Sequence, residues 1–179
     1  MRGHLGGQAA PGGGDLASLR GDADEPVIPF AQPGSLTRVF CVASGKGGVG
    51  KSSVTVNLAA AMAELPGNEV LMVDGDLHAP GLESMLGLAR RQGLAEVLSG
   101  VLTLDQAIRQ TSMSGVSVMG AGCLPSNPSE LLGSDRMRSL LNQLRQRYSY
   151  VLMDTPATMT YSDASLLGAI ADGILLVVR

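Results

Sequence analysis

Eight consecutive residues, Gly45-Lys46-Gly47-Gly48-Val49-Gly50-Lys51-Ser52, combine four glycines, two lysines and a hydroxyl in the order GxxxxGK[ST]. Glycines let a backbone curl so that its N–H groups converge on an anion, and a helix that starts at Lys51 adds the positive end of its dipole. In such a loop Lys51 reaches the β- and γ-phosphates of a nucleotide and Ser52 offers its hydroxyl to Mg²⁺. The candidate nucleotide-binding residues are therefore Gly45, Lys46, Gly47, Gly48, Val49, Gly50, Lys51, Ser52 and Ser53. Lys46 and Lys51 are the only lysines, whereas 11 of the 13 basic residues are arginine. A chain that uses arginine for its ordinary cations has a specific reason for lysine at these two positions: a compact ammonium suits a phosphate oxygen where a guanidinium would crowd the loop.

Carboxylates recur where such a loop needs them. Val73-Asp74-Gly75-Asp76-Leu77 follows an apolar run, and Val151-Leu152-Met153-Asp154-Thr155-Pro156 ends another. Open sheets deliver strand-end residues to ligand at their carboxyl edge. Asp154 is placed to hold Mg²⁺ through water. An aspartate at 76 can also cap the following helix, and one at 74 can simply close a turn.

These residues must be held by alternating strands and helices. Apolar runs predict strands at 39–43, 69–73, 116–119, 150–153 and 174–178; helical patterns cover 51–64, 82–88, 104–110, 134–148 and 163–171. Continuously apolar strands separated by helices imply a three-layer α/β P-loop NTPase fold, with a mainly parallel sheet buried between helices. Residues 1–36, rich in Gly, Pro, Ala and Asp without periodicity, predict a flexible leader, and 37–179 the P-loop domain. The apolar strand that ends at Arg179 has no helix after it to cover it, which predicts a truncated C-terminal part.

Composition bounds the rest. At 179 residues, 45% hydrophobic and 3% aromatic, the chain predicts one globular domain with an aliphatic core. A net charge of −3 and the lack of any basic run argue against direct nucleic-acid binding. No apolar stretch follows the N-terminal basic residues, so a cytoplasmic location is expected. Cys41 and Cys123 lack metal-ligand spacing and are read as buried or half-buried thiols.

Two resemblances follow from these motifs. The loop lysine Lys46 resembles the deviant Walker A signature, KGGxGK[ST], of the MinD/ParA superfamily of ATPases. That resemblance implies ATP-dependent dimerisation, with Lys46 reaching the partner subunit's phosphates much as an arginine finger does. On it Asp76 orients or deprotonates the attacking water or hydroxyl, Asp74 supports the magnesium shell and the segment at Asp154 is similar to switch II. Further on, Gly93 to Gly100, Ala121-Gly122, Asn127-Pro128-Ser129-Glu130-Leu131-Leu132 and Tyr161-Ser162-Asp163-Ala164 resemble the bacterial tyrosine autokinases of capsular and exopolysaccharide biosynthesis. This implies catalysis by Lys46, Lys51 and Asp76, and Mg²⁺ held by Ser52, Asp74, Asp76 and Asp154. It also implies a homodimer or higher oligomer, and a membrane activator that recruits the chain to the inner face of the membrane. Tyr148, Tyr150 and Tyr161, the only tyrosines, lie in or beside regular elements and are expected to pack. Two other outputs fit the loop: a ParA/MinD-type positioning switch and an Mrp-type iron-sulfur carrier ATPase both carry the same signature.

Overall fold

A computed structural model of the chain describes residues 38–158 and 162–178. The leader at 1–36, Tyr161 and Arg179 lie outside the described residues. Six strands form one sheet in the order β3-β4-β2-β5-β1-β6. They are β1 (Val39–Ala43), β2 (Val70–Asp74), β3 (Ile108–Gln110), β4 (Val116–Met119), β5 (Tyr150–Asp154) and β6 (Gly173–Leu176). Seven helices intervene among the described residues: α1 (Lys51–Ala63), α2 (Leu82–Met85), α3 (Leu94–Ser99), α4 (Leu104–Ala107), α5 (Pro128–Leu132), α6 (Asp135–Arg147) and α7 (Asp163–Ile170).

All pairings are parallel except β3 with β4. Every residue of β1, β2 and β4 is buried, which requires helices on both faces of the sheet and explains why these strands read as apolar runs, with only Ser117 in β4 and Asp74 at the end of β2 polar. Helix α6 shows how one cover forms. Ser134 accepts a hydrogen bond from the Met137 N–H at 3.3 Å, and Met137, Leu140, Leu141 and Leu144 repeat at helical spacing as its buried stripe.

Three expectations are corrected here. The helix read over 104–110 stops at Ala107, and Ile108 turns into extended backbone as β3, an antiparallel edge strand whose groups pair with β4. Helices α3 and α5, absent from the periodicity, are short elements built from caps: the Glu96 carboxylate accepts from Gly93 N–H at 2.7 Å, Gly100 closes α3 at φ 78°, and Pro128 opens α5. Strand β6 is not buried on both faces, since Ile174 and Leu176 are 57% and 64% exposed. Tyr148 and Tyr150 pack as expected, the first against the main core and the second with its ring 6.5 Å from that of Phe40.

Candidate functional site

Strands β1, β2 and β5 are neighbours with β5 in the middle, so their carboxyl ends bring the glycine loop, the Asp74-Asp76 segment and Asp154 to one edge. The loop needs its glycines for conformation: Gly48 and Gly50 have φ of 73° and 97°. A Cβ added at Gly47, Gly48 or Gly50 would meet no protein atom within 4 Å, so close packing does not explain the glycines. Gly50 caps α1 in the left-handed region, and Lys51 and Ser52 form its first turn. Lys46 is exposed, and its carbonyl accepts the Ser44 hydroxyl at 2.8 Å. Ser44 in turn accepts from Thr158 N–H and Oγ1 at 2.9 and 3.0 Å, which ties the segment after Asp154 to the start of the loop.

Ser52 donates its hydroxyl to Asp154 Oδ2. The other oxygen, Oδ1, is buried without a hydrogen-bond partner. Burial pushes the Asp154 carboxyl up to about 6 against the pull of the Ser52 hydroxyl and the Lys51 ammonium, with Asp76 adding a further upward push. Asp74 is driven up to about 7, first by burial and then by Asp154, while three backbone N–H groups pull it down. These belong to Asp76 at 3.2 Å, Gly81 at 2.9 Å and Leu82 at 3.0 Å. Asp74 thus braces the loop between β2 and α2 from inside, and Gly81 is packed near the Ser52 hydroxyl. Asp76 is half-buried, and its Oδ1 accepts from His78 N–H at 3.2 Å and Ala79 N–H at 2.9 Å. The turn-forming role and proximity to Asp154 therefore coexist in one carboxylate.

The residues present suit a phosphate-bound magnesium. Among the described residues no three His, Cys, Asp or Glu side chains form a cluster able to hold a metal ion. Magnesium bound with a nucleotide takes few protein donors and completes its shell with phosphates and water. A hydroxyl bonded to a carboxylate whose second oxygen lacks a partner is such a sparse donor set. Sequence reasoning missed the buried carboxylate of Asp163, which binds His78 two residues beyond Asp76. The sole signal was the Ser162-Asp163-Ala164 segment itself. Cys41 is buried in β1, with its thiol pushed up to about 12, whereas Cys123 is exposed rather than buried or half-buried.

A parallel sheet with a glycine loop, a helix N-terminus and two strand-end carboxylates at one edge defines a P-loop NTPase domain. The ParA family model, described as NUBPL iron-transfer P-loop NTPase, matches residues 35–174, and the chain belongs to that family. It is 35% identical over 152 residues to the putative tyrosine-protein kinase AmsA of Erwinia amylovora, a match that spans 85% of this chain and 21% of AmsA. A shorter stretch of 73 residues, 41% of this chain, is 63% identical to the iron-sulfur cluster carrier protein of Mycobacterium tuberculosis and spans 19% of it. The kinase domain of Escherichia coli tyrosine kinase ETK superposes with a TM-score of 0.78 at 33% identity, covering 84% of this chain and 58% of that one. The septum site-determining protein MinD of Pyrococcus horikoshii, solved with Mg-ADP, superposes with a TM-score of 0.66 at 32% identity, covering 79% and 57%. The chain spans about a fifth of the length of AmsA.

Proposed function

We propose that this chain is the ATP-binding, Mg²⁺-dependent catalytic domain of a protein-tyrosine kinase of polysaccharide biosynthesis. The observation that carries the reading is the junction of Lys51, Ser52 and Asp154 at the end of β5, beside Asp76. The loop N–H groups and Lys51 bind the phosphates, with Ser53 in the same turn of α1. Ser52 and Asp154 hold Mg²⁺, Asp76 faces the shell, and Asp74 keeps the loop in shape. Bound Mg²⁺ supplies charge neutralisation on the phosphate oxygens. Asp76 orients the attacking hydroxyl and takes its proton. Lys46, exposed at the mouth of the loop, adds positive charge to the site of a second subunit in a nucleotide-dependent dimer. A membrane activator protein is the partner this reading implies, with the chain recruited to the inner face of the membrane. Among the described residues no helix is long and apolar enough to cross a membrane itself.

The test has two arms. Lys51→Ala abolishes Mg·ATP binding in a calorimetric titration; unchanged affinity would refute the site. Supplied with a matching membrane activator, the full-length protein transfers labelled γ-phosphate to tyrosine. ATP turnover without tyrosine label would replace the kinase by a hydrolytic switch of the ParA/MinD type.

The 63% identity to an iron-sulfur cluster carrier supports a second reading for the shared stretch. Cluster binding needs paired thiolates, and the two cysteines here are Cys41, buried in β1, and Cys123, exposed past β4. The kinase reading accounts for more of the chain.

A further inference from the structure

Three segments distant in sequence meet at one buried carboxylate. Asp163, the first residue of α7, is fully buried. Its Oδ1 accepts the Ser129 hydroxyl from α5, and its Oδ2 lies 2.9 Å from His78 Nε2. A carboxylate in the interior is costly unless hydrogen-bonded, and an apolar residue would fill the same space without that cost. The helix N-terminus and the two donors make Asp163 tolerable there. With Asp163 as acceptor on both sides, Nε2 of His78 carries the hydrogen. This is not a nucleophilic Ser-His-Asp arrangement, because Ser129 bonds the carboxylate and not the imidazole.

The imidazole is thereby fixed at its far end while the main chain of the same residue donates to Asp76. The N–H groups of His78 and Ala79 both point at Asp76 Oδ1, at 3.2 and 2.9 Å. We infer that His78 is a positioning residue for Asp76, anchored through Asp163 to Ser129 on α5, so that the placement of α5 is felt at the catalytic carboxylate. The inference rests on the reading of Asp76 as the residue that orients the attacking group. Partners of this kind typically change activity by about 10–100-fold when removed.

The experiment measures steady-state consumption of labelled ATP by the full chain as ATP concentration is varied. His78→Ala lowers turnover about 10-fold while the KM for ATP stays within about twofold. His78→Gln retains a side-chain N–H donor for Asp163 and recovers turnover to within about threefold. Ser129→Ala removes only the far anchor, and its loss is smaller, about threefold. In an Asp76→Asn background, His78→Ala causes no further loss, because its effect runs through that carboxylate. Normal turnover in His78→Ala, no recovery in His78→Gln, or a full further loss in the Asp76→Asn background overturns the inference. If His78→Ala does not fold, Ser129→Ala and His78→Gln decide: normal turnover in the first, or a fall of the second to the Asp76→Asn level, overturns it. Asp76→Asn with normal turnover, or a wild type with none, brings down the reading of Asp76 and this inference together. Slow Asp76→Asn beside normal His78→Ala brings down this inference alone.

Discussion

Asp74 and Asp154 are register partners at the carboxyl ends of the adjacent parallel strands β2 and β5, and both are buried. The Gly75 N–H donates to the Asp154 carbonyl at 2.8 Å, which locks the two strand ends together. Two carboxylates held this close in the interior repel when ionised, and a bound cation relieves them.

A pH dependence follows. Burial raises Asp74 to about 7 and Asp154 to about 6 in the folded protein, from an ordinary aspartate value of 3.8 for each. Between the ordinary and the raised values the folded state binds more protons than the unfolded one, so stability falls as pH rises through this window. Glu96 and Asp172 are shifted downward and titrate below it. The ligand-free protein therefore melts about 5 °C lower at pH 8 than at pH 5.5. Saturating Mg·nucleotide reverses the order, since it binds the ionised pair. Melting curves at both pH values check this, and a ligand-free Tm that rises with pH would contradict it.

Lys46 separates binding from turnover. Its side chain is exposed, while its carbonyl is fastened by Ser44. Lys46→Ala leaves ATP affinity within about threefold, because Lys51 and the loop N–H groups remain. Turnover falls by about 10³-fold, the scale for losing a cation supplied in trans. Nucleotide-dependent dimerisation, followed by light scattering, is lost with it. Wild-type turnover in this variant would mean that the lysine does not act in trans.

How much of this was legible in the sequence depends on the range of the interaction. β1 and β4 start and end where their sequence patterns do, because full burial keeps β1 wholly apolar and leaves β4 a single small polar residue, Ser117. The loop and its strand-end carboxylates were equally plain, as local spacing alone defines them. β3 was not: Ile108, Arg109 and Gln110 continue a helical pattern, and a long-range pairing with β4 overrides it. Arg109 completes the override by binding the Glu83 carboxylate and, at 2.9 Å, the Ala89 carbonyl. The anchoring of His78 by Asp163, 85 residues away, has no local signature at all.

Arg109 carries the next prediction. It is 17% exposed and its partner Glu83 is 7% exposed, so removing the guanidinium strands a nearly buried carboxylate. Arg109→Ala destabilises the fold by about 3 kcal/mol in urea unfolding. Glu83→Gln in the same background recovers part of the loss by removing the charge. No recovery would indicate that Arg109 acts through the packing of its stem.

Glu96 ties the start of α3 to the turn after β4. Its carboxylate accepts from Gly93 N–H at 2.7 Å and Cys123 N–H at 3.0 Å, and Leu94 N–H reaches the Gly120 carbonyl at 2.8 Å. Burial pushes its pKa upward, but the backbone donors outweigh that and hold it below the usual carboxylate range. A depressed folded value contributes stability above the unfolded value and loses it as pH falls through the folded one. Glu96→Gln accordingly costs about 1–2 kcal/mol at pH 7, and the difference from wild type closes as acid protonates the native carboxylate. Gly122 faces the same carboxylate: a Cβ there would lie 2.0 Å from Glu96 Oε2, at a φ of 85° that L side chains rarely adopt. Gly122→Ala is therefore the more damaging change, about 3 kcal/mol or more at pH 7, because it displaces the Glu96 carboxylate and adds backbone strain; the strain part does not titrate and persists in acid. Unfolding in urea at pH 7 and at pH 3.5 separates the two. A Gly122→Ala penalty smaller than that of Glu96→Gln would show that the turn shifts freely and that Glu96 does not fix it.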